Sequence, residues 1–320
     1  MKAPLNIADA NNPVILEIMR RRKLIQNGEV LSEQPTKLGL VIEGGGMRGV
    51  ISGGVLVAME RLGLTDVFDE VYGESAGAIN ACYFLAGQAD FGASIYRDNL
   101  SSRKFVHPFR FGRILDLDYA IDQVVGKIKA LDCEKVKRAR SKLFVSLTNT
   151  QDGTGRIVDF QNENIPLLTL LKATAAIVPL YNKPVVIEGV AYADGGITDP
   201  VPVRNAVNSG CTHILVLLTR EPSFVARGFT WLERIVVDRL LSGWNDSFVN
   251  AFYNVRWKRL NESRDIAFGR SGSNSKVEIG VICPSAGSPG VGRMSTDHRV
   301  LDRAMDESVK ETLHLFGWRS

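Results

Sequence analysis

The chain has 320 residues, of which 45% are hydrophobic and 23% charged, and its formal net charge is +4. This composition describes a globular protein that buries about three-quarters of its unfolded surface, and it excludes a strongly basic nucleic-acid-binding surface. The sequence contains no run of about 18 apolar residues, so we expect no membrane-spanning helix. The N-terminus lacks the apolar segment of a signal peptide. The four cysteines include no C-x-x-C pair, so we expect no zinc site and a cytoplasmic location. The mild positive charge would suit docking on anionic lipid, which would place the protein at the periphery of a membrane.

Residues 1–36 form a predicted N-terminal extension. Within it, residues 13–24 favour a helix that ends in the basic run Arg20-Arg21-Arg22-Lys23. Cations at a helix C-terminus are stabilised by the helix dipole, so we predict a solvated helix end. A patch that contacts a membrane or a partner is the alternative.

A glycine-rich loop follows the first predicted strand and precedes a predicted helix. Its sequence is Gly44-Gly45-Gly46-Met47-Arg48-Gly49. Backbone N–H groups of such a loop can surround an anion, either a nucleotide phosphate or the oxyanion of an acyl intermediate. Gly44, Gly46 and Gly49 match the G-x-G-x-x-G spacing of dinucleotide sites. However, no acidic residue ends the second predicted strand as that site requires, and no Gly-Lys-Ser/Thr supports a Walker A loop.

The segment Gly73-Glu74-Ser75-Ala76-Gly77 lies between a predicted strand and an apolar helix. A G-x-S-x-G sequence in this position predicts a nucleophile elbow, in which Ser75 occupies a strained turn and Gly73 and Gly77 leave room for it. The Ser75 hydroxyl would then lie at a helix N-terminus, where developing negative charge is favoured. A glycine-rich turn with an incidental serine is the alternative. We expect Glu74, at the variable position, to be a surface or hydrogen-bonding residue.

A nucleophilic serine needs a base, and no histidine has a sequence context that indicates one. The four histidines are His107, His213, His298 and His314. The segment Asp194-Gly195-Gly196 is the better candidate, because it ends a predicted strand and projects a carboxylate from an open turn. Taken alone, an ordinary Asp-Gly turn is the simpler interpretation.

Strands and helices alternate along the chain, which predicts a mostly parallel sheet with right-handed crossovers. The predicted strands lie at 38–42, 68–72, 143–148, 185–193, 213–218 and 276–282. The motifs all follow strand ends, where open α/β sheets form ligand crevices. We therefore predict an α/β fold with helices on both faces of a mostly parallel central sheet, and a catalytic domain at 37–220.

Residues 221–320 form a predicted C-terminal segment that packs on the core. Residues 231–260 can be drawn as one helix with an apolar face, which is formed by Val237, Leu241, Trp244, Phe248, Phe252 and Val255. Packing of this face on the core is the simpler explanation. Its tryptophans and the neighbouring cations Arg256, Lys258 and Arg259 favour instead a helix that faces lipid.

Together, the glycine loop, the serine elbow and the Asp-Gly-Gly turn resemble the patatin-like phospholipase family in their order, placement and separation, over residues 38–220. The resemblance implies a three-layer α/β/α fold and a Ser-Asp dyad without histidine, in which Ser75 is the nucleophile and Asp194 the base. It also implies an acyl-enzyme, a lipid ester substrate such as a phospholipid or lysophospholipid, and no metal or cofactor. The implied oxyanion hole consists of Gly44, Gly45, Gly46 and Arg48, and the motif-supporting residues are Gly49, Gly73, Gly77, Gly195 and Gly196.

Several alternatives stay open at the level of sequence. The Arg48 guanidinium could anchor a phosphate or carboxylate head group, or it could pair with Glu43 or Glu74. The same dyad could transfer the acyl group to an alcohol, or the chain could be a catalytically silent protein that binds lipid or a partner. Nucleotide binding is a more distant alternative, and nothing in the sequence indicates an oligomeric state.

Overall fold

The computed structural model describes residues 7–31, 34–110, 112–270, 276–285, 287–288 and 290–318. Residues 1–6 and 32–33 of the predicted N-terminal extension, and residues 271–275, 286, 289 and 319–320 of the predicted C-terminal segment, lie outside the described residues.

A single eight-stranded sheet organises the described part of the chain. Its strands are β1 (Leu38–Ile42), β2 (Glu70–Gly73), β3 (Lys142–Asn149), β4 (Gly155–Asp159), β5 (Val185–Ile187), β6 (Val190–Asp194), β7 (His213–Leu217) and β8 (Glu278–Ile282). The order across the sheet is β5-β6-β3-β2-β1-β7-β8, and β4 also pairs with β3. Neighbours from β3 to β8 in this order run parallel, whereas β4 and β6 run antiparallel to β3. The predicted α/β fold with a mostly parallel sheet is confirmed.

Helices cover both faces of this sheet. They are α1 (Pro13–Gln26), α2 (Gly49–Arg61), α3 (Ala76–Leu85), α4 (Ala89–Ala93), α5 (Cys133–Arg138), α6 (Leu167–Thr174), α7 (Val203–Asn208), α8 (Trp231–Leu241), α9 (Asp246–Asn250), α10 (Arg256–Ala267) and α11 (His298–Leu315). Side chains alternate across a strand, so neighbouring residues of β1 belong to different layers. Leu40 packs in a core cluster with α2, α3 and α6, and Val41 packs in another with α7 and α10. The molecule therefore has three layers, and β1 is buried along its whole length, as expected for a parallel strand covered on both faces.

Helix α1 packs on this core, and its basic run is not uniformly solvated. Val14 and Ile18 are completely buried in the main core cluster. Arg21 is also completely buried, where it binds Glu17 and Asp69. The predicted solvated helix end is therefore wrong for Arg21, because this residue lies on the buried face of the helix.

The predicted strand at 185–193 is in fact two strands. Glu188 and Gly189, with φ angles of 50° and 81°, form the turn between β5 and β6, and Ile187 pairs with Val190. Two successive positive φ angles are typical of a tight hairpin turn. Together with β4, which the sequence did not predict, this hairpin adds antiparallel strands to β3. Asp194 consequently reaches the sheet at the end of an antiparallel strand.

The predicted continuous helix at 231–260 is also broken. Gly243, with a φ of 92°, lies between α8 and α9, and the π-helical segment Ala251–Val255 leads into α10. Glycine adopts this left-handed conformation without strain. The predicted apolar face packs inside the protein, since Leu241, Phe248 and Phe252 are at most 3% exposed within one core cluster. Among the described residues, no helix is both long enough and apolar enough to cross a bilayer.

Candidate active site

Strand register brings the serine and aspartate motifs to one level of the sheet. Gly73 on β2 pairs with Val145 on β3, and Ser75 follows two residues beyond Gly73. Two residues beyond Val145, Leu147 pairs with Asp194 on β6. Ser75 and Asp194 are therefore equally far along the sheet, on either side of β3. The glycine loop follows β1, on the other side of β2.

Ser75 has the strained backbone of a nucleophile elbow. Its φ and ψ angles are 51° and −125°, and such a conformation costs a non-glycine residue about 1–3 kcal/mol. The Ser75 N–H donates to Thr174 Oγ1 at 3.0 Å, and the Thr174 hydroxyl donates to the Ser146 carbonyl at 2.8 Å. These bonds anchor the turn between β2 and α3 and leave the Ser75 side chain at the start of α3.

Close packing explains why Gly77 cannot be larger. A Cβ atom at Gly77 would lie 2.4 Å from the carbonyl oxygen of Ile42. Helix α3 can therefore approach the end of β1 only if this position has no side chain. The elbow and the glycine loop are held against each other as a result.

The glycine loop presents free backbone donors. In the part of the chain that the structure describes, the N–H groups of Gly44 and Gly45 donate no hydrogen bond, whereas the N–H of Met47 donates to the Arg293 carbonyl at 3.1 Å. A Cβ at Gly44 would lie 2.1 Å from Glu74 Oε2, so the loop passes directly over this carboxyl group. Free N–H groups of this kind can stabilise an oxyanion.

A cavity of about 620 Å³ opens over these motifs. The predicted residues that line it are Ser75, Asp194, Gly44, Gly45, Gly46, Arg48 and Gly196. The other predicted residues are buried without lining the cavity, and they are Gly49, Gly73, Gly77 and Gly195. Among the described residues, no histidine lines the cavity, and no group of three or more His, Cys, Asp or Glu is placed to hold a metal ion.

Glu74 and Asp194 form a buried carboxyl pair, at 4% and 5% exposure. Burial, followed by the charge of Asp194, holds the pKa of Glu74 well above its usual value. Burial also raises the pKa of Asp194, although Arg256 and a hydrogen bond from Glu74 oppose this rise. Asp194 also accepts the Gly196 N–H at 2.7 Å. The expectation of a hydrogen-bonding role for Glu74 is correct, and a surface position is wrong.

The Ser75 hydroxyl and the Asp194 carboxylate face one cavity, but among the described hydrogen bonds none joins them directly. Catalytic hydrogen bonds are often long or absent without substrate and tighten in the complex. Both groups therefore belong to one site.

Four arginines that the sequence argument did not assign to the site also line the cavity, and they are Arg220, Arg227, Arg256 and Arg293. Arg256 begins α10, and the sequence argument considered it only as part of a helix that either packs on the core or faces lipid. Arg48 forms no ion pair with Glu43 or Glu74 in the described residues, since its Nε donates to Thr219 Oγ1 at 3.3 Å. No local sequence signal marks Arg220 or Arg293 as site residues, because they reach the cavity from segments outside the motifs.

Comparisons with known proteins identify relatives of this chain. The family model described as Patatin-like phospholipase matches residues 40–207. A protein of Escherichia coli (strain K12) named Uncharacterized protein YjjU is 31% identical over 242 residues, which are 73% of this chain and 64% of that protein. Patatin-like phospholipase domain-containing protein 2 of Mus musculus is 30% identical over 144 residues, which are 43% of this chain and 29% of that protein. The crystal structure of VipD from Legionella pneumophila has a TM-score of 0.49 and 12% identity, and covers 88% of this chain and 67% of that one.

The family model covers more than half of the chain, and the protein belongs to the patatin-like phospholipase family. The chain spans less than two thirds of the length of the two named relatives from Escherichia coli and Mus musculus.

Proposed function

We propose that the protein is a serine hydrolase that cleaves phospholipid, lysophospholipid or related lipid esters through Ser75 and Asp194. The observation that carries this proposal is the strained Ser75 at the same level of the sheet as a buried carboxylate, with both groups lining one cavity. Family membership supports the same chemistry.

In the proposed reaction, Ser75 Oγ attacks the ester carbonyl carbon and passes its proton to Asp194. The N–H groups of Gly44 and Gly45 stabilise the oxyanion, with Gly46 and Arg48 beside them. The intermediate then collapses, the ester C–O bond breaks, and the leaving alcohol takes the proton from Asp194. Water attacks the acyl-enzyme with Asp194 as the base again, so that a fatty acid leaves and Ser75 regains its proton.

The magnitudes favour a dyad in which the oxyanion hole contributes most. An oxyanion-hole donor contributes about 3–4 kcal/mol in other serine enzymes. General-base catalysis contributes about 10²–10⁴-fold in rate, which is about 3–5 kcal/mol in activation free energy, so two donors together contribute more than the base. Asp194 is a better base than an ordinary aspartate because burial raises its pKa, which brings it closer to the pH of the reaction.

Fluorophosphonate labelling tests the nucleophile. We expect the wild type to be labelled and Ser75→Ala to be unlabelled, with Ser263→Ala as a control because Ser263 is a buried serine that does not line the cavity. An unreactive wild type would overturn the hydrolase proposal in favour of a catalytically silent binding protein.

Turnover of a lipid ester tests the base. We expect Asp194→Asn to lower kcat by at least about 10²-fold while Asp199→Asn, at an aspartate outside the cavity, stays near the wild type. Loss of activity on replacement of any single histidine by glutamine would contradict the dyad. Acyl transfer in place of hydrolysis would appear as an ester of an added alcohol among the products.

We further propose that the outer face of α8 contacts a lipid surface. Four of its apolar side chains are between 54% and 70% exposed, and they are Trp231, Leu232, Ile235 and Val236. This face adjoins the cavity, because Glu233 of α8 and Val225, which is 70% exposed, line the cavity. A lipid that left the bilayer at this face would enter the site directly. Arg234 and Arg239 lie on the same helix and complement anionic head groups.

Vesicle flotation tests this contact. We expect the double variant Ile235→Ser/Val236→Ser to lose most binding to vesicles that contain phosphatidylglycerol and to keep turnover of a water-soluble short-chain ester. Leu16→Ser is the matched control, because Leu16 is 55% exposed on α1. Undiminished vesicle binding by the double variant would contradict the proposed surface.

A further inference from the structure

Four arginines converge on the cavity without ion-pair partners. Arg48, Arg220, Arg256 and Arg293 all line it, and none of them forms a salt bridge with a described residue, whereas the rim residue Arg227 pairs with Glu233 at 2.8 Å. Buried charges are normally paired. Arg48 is buried and the other three arginines are half-buried, so four unpaired guanidinium groups around one cavity need an explanation.

The contacts that these side chains do make are weak. Arg48 is 4% exposed, and the described hydrogen bond of its side chain is the 3.3 Å contact with Thr219. The Nε atom of Arg293 is buried without a partner among the described residues. Arg220 and Arg256 lie over the rings of Phe224 and Phe252, at 4.0 Å and 5.4 Å. Most of the donors of these four side chains are free to bind a ligand.

The charge balance of the cavity is positive. Besides the Arg227–Glu233 rim pair, the ionisable residues that line it are the four arginines, Glu43, Glu74 and Asp194. Four guanidinium groups thus face three carboxyl groups, of which Glu74 and Asp194 form one buried pair. Cations therefore outnumber carboxyl groups in the cavity.

The arginines also repel one another. Burial, followed by the charge of Arg293, lowers the pKa of Arg48 to about 9 and that of Arg256 to about 10. This mutual destabilisation disappears when an anion binds among the guanidinium groups, so the empty cavity favours an anionic ligand.

We propose that this cavity binds the phosphate group of the substrate beside the scissile ester, so that the enzyme prefers acyl esters with a net-negative phosphate head group over neutral glycerides. A phosphate matches the site better than a carboxylate, because it offers three or four oxygens to several guanidinium groups and carries up to two charges. A cationic amine in the head group would oppose the positive excess of the cavity. The inference rests on the proposed hydrolase function for its substrate, but the anion site itself does not require catalysis.

Matched substrates with one acyl chain test the preference. We expect kcat/KM for oleoyl lysophosphatidic acid to exceed that for monooleoylglycerol by at least about tenfold, with lysophosphatidylcholine between them. Arg256→Gln and Arg293→Gln should each lower the ratio of anionic to neutral turnover by about tenfold or more. The control is Arg259→Gln, because Arg259 lies one turn along α10 from Arg256, is exposed and pairs with Glu262 at 3.0 Å. Equal turnover of the two substrates, or an unchanged ratio in both variants, would overturn the proposal.

A binding measurement separates this proposal from the hydrolase proposal. In the Ser75→Ala protein, glycerol 3-phosphate should raise the melting temperature by about 2 °C or more at saturation, and glycerol should have no effect. Arg256→Gln in the same background should abolish the rise. Stabilisation without any hydrolysis by the wild type would retain the anion site and reject the dyad. Hydrolysis without stabilisation or substrate preference would reject the anion site, and equal affinity for inorganic phosphate and glycerol 3-phosphate would reject the lipid head group as its ligand.

Discussion

Arg21 is completely buried and the four cavity arginines are buried or half-buried, yet they differ in their partners. Arg21 binds Glu17 through Nε at 2.9 Å and Asp69 through Nη1 at 2.7 Å, and its remaining donors reach the backbone carbonyls of Val67 and Thr36. The arginines of the cavity, taken together, have one side-chain hydrogen bond among the described residues. A buried arginine with every donor satisfied holds the fold together, whereas a group of buried arginines without partners costs stability and is available to a ligand.

The difference also concerns where each arginine comes from. Arg21 lies on α1 and joins that helix to the loop before β2, and its partners Glu17 and Asp69 do not line the cavity. Arg256 and Arg293 come from segments after β7 and meet the elbow only through folding. We therefore expect mutation of Arg21 to lower the stability of the protein, and mutation of Arg256 or Arg293 to change its substrate preference.

Removal of Arg21 should have the largest effect on stability. Arg21→Met leaves Glu17 and Asp69 as carboxylates without their buried partner, and we expect a loss of about 3–5 kcal/mol in the free energy of unfolding, measured by urea denaturation. Arg20→Gln is the control, since Arg20 is exposed and its pair with Glu17 should contribute less than about 1 kcal/mol. Equal losses in the two variants would remove the distinction between them.

The acid partner of Arg21 should give stability a pH dependence. Burial would raise the pKa of Glu17, but hydrogen bonds from Arg20, Thr36 and Arg21 outweigh it and lower the pKa to about 2. Because the folded-state pKa is lowered, the stabilisation is present above about pH 4.5 and is lost as the pH falls towards 2, by about 3 kcal/mol. Unfolding measured from pH 5 to pH 2 should show this loss in the wild type, and the Glu17→Gln protein should lack it.

Asp199 should show the opposite sign, because its hydrogen-bond partner is an amide. Burial raises the pKa of Asp199 to about 6, against the hydrogen bond from Asn205. The raised pKa means that stability is greatest below about pH 4 and falls as the pH rises through 6. Asp199→Asn should therefore stabilise the protein by about 2 kcal/mol at pH 7 and by much less at pH 4. A variant that is no more stable at pH 7 would show that Asp199 ionises without penalty.

Removal of a cavity arginine should have the smallest effect on stability. Arg256→Met relieves repulsion with Arg293 and the burial of a charge, so we expect the free energy of unfolding to change by no more than about 1 kcal/mol, or to rise. The contrast with Arg21→Met is the sharpest test of the comparison. A loss above about 2 kcal/mol would mean that Arg256 supports the fold as Arg21 does.

Local sequence was sufficient for the elements whose determinants lie within a few residues of one another. The strands at 38–42 and 213–218 were predicted almost to their observed ends, because apolar periodicity is local. The hairpin at Glu188-Gly189 and the break at Gly243 were missed. In both places one or two residues with positive φ interrupt an otherwise continuous apolar pattern, and the periodicity of the flanking residues does not reveal the break.

The sequence by itself determined the α/β fold, the elbow at Ser75 and the glycine loop, because strained turns and close backbone approaches demand particular residues at particular spacings. Only the tertiary structure decided that Glu74 turns inward to form a buried carboxyl pair with Asp194, and that Arg256 and Arg293 complete the cavity. These neighbours are distant along the chain, and strand order and packing, which no local pattern encodes, bring their charges together.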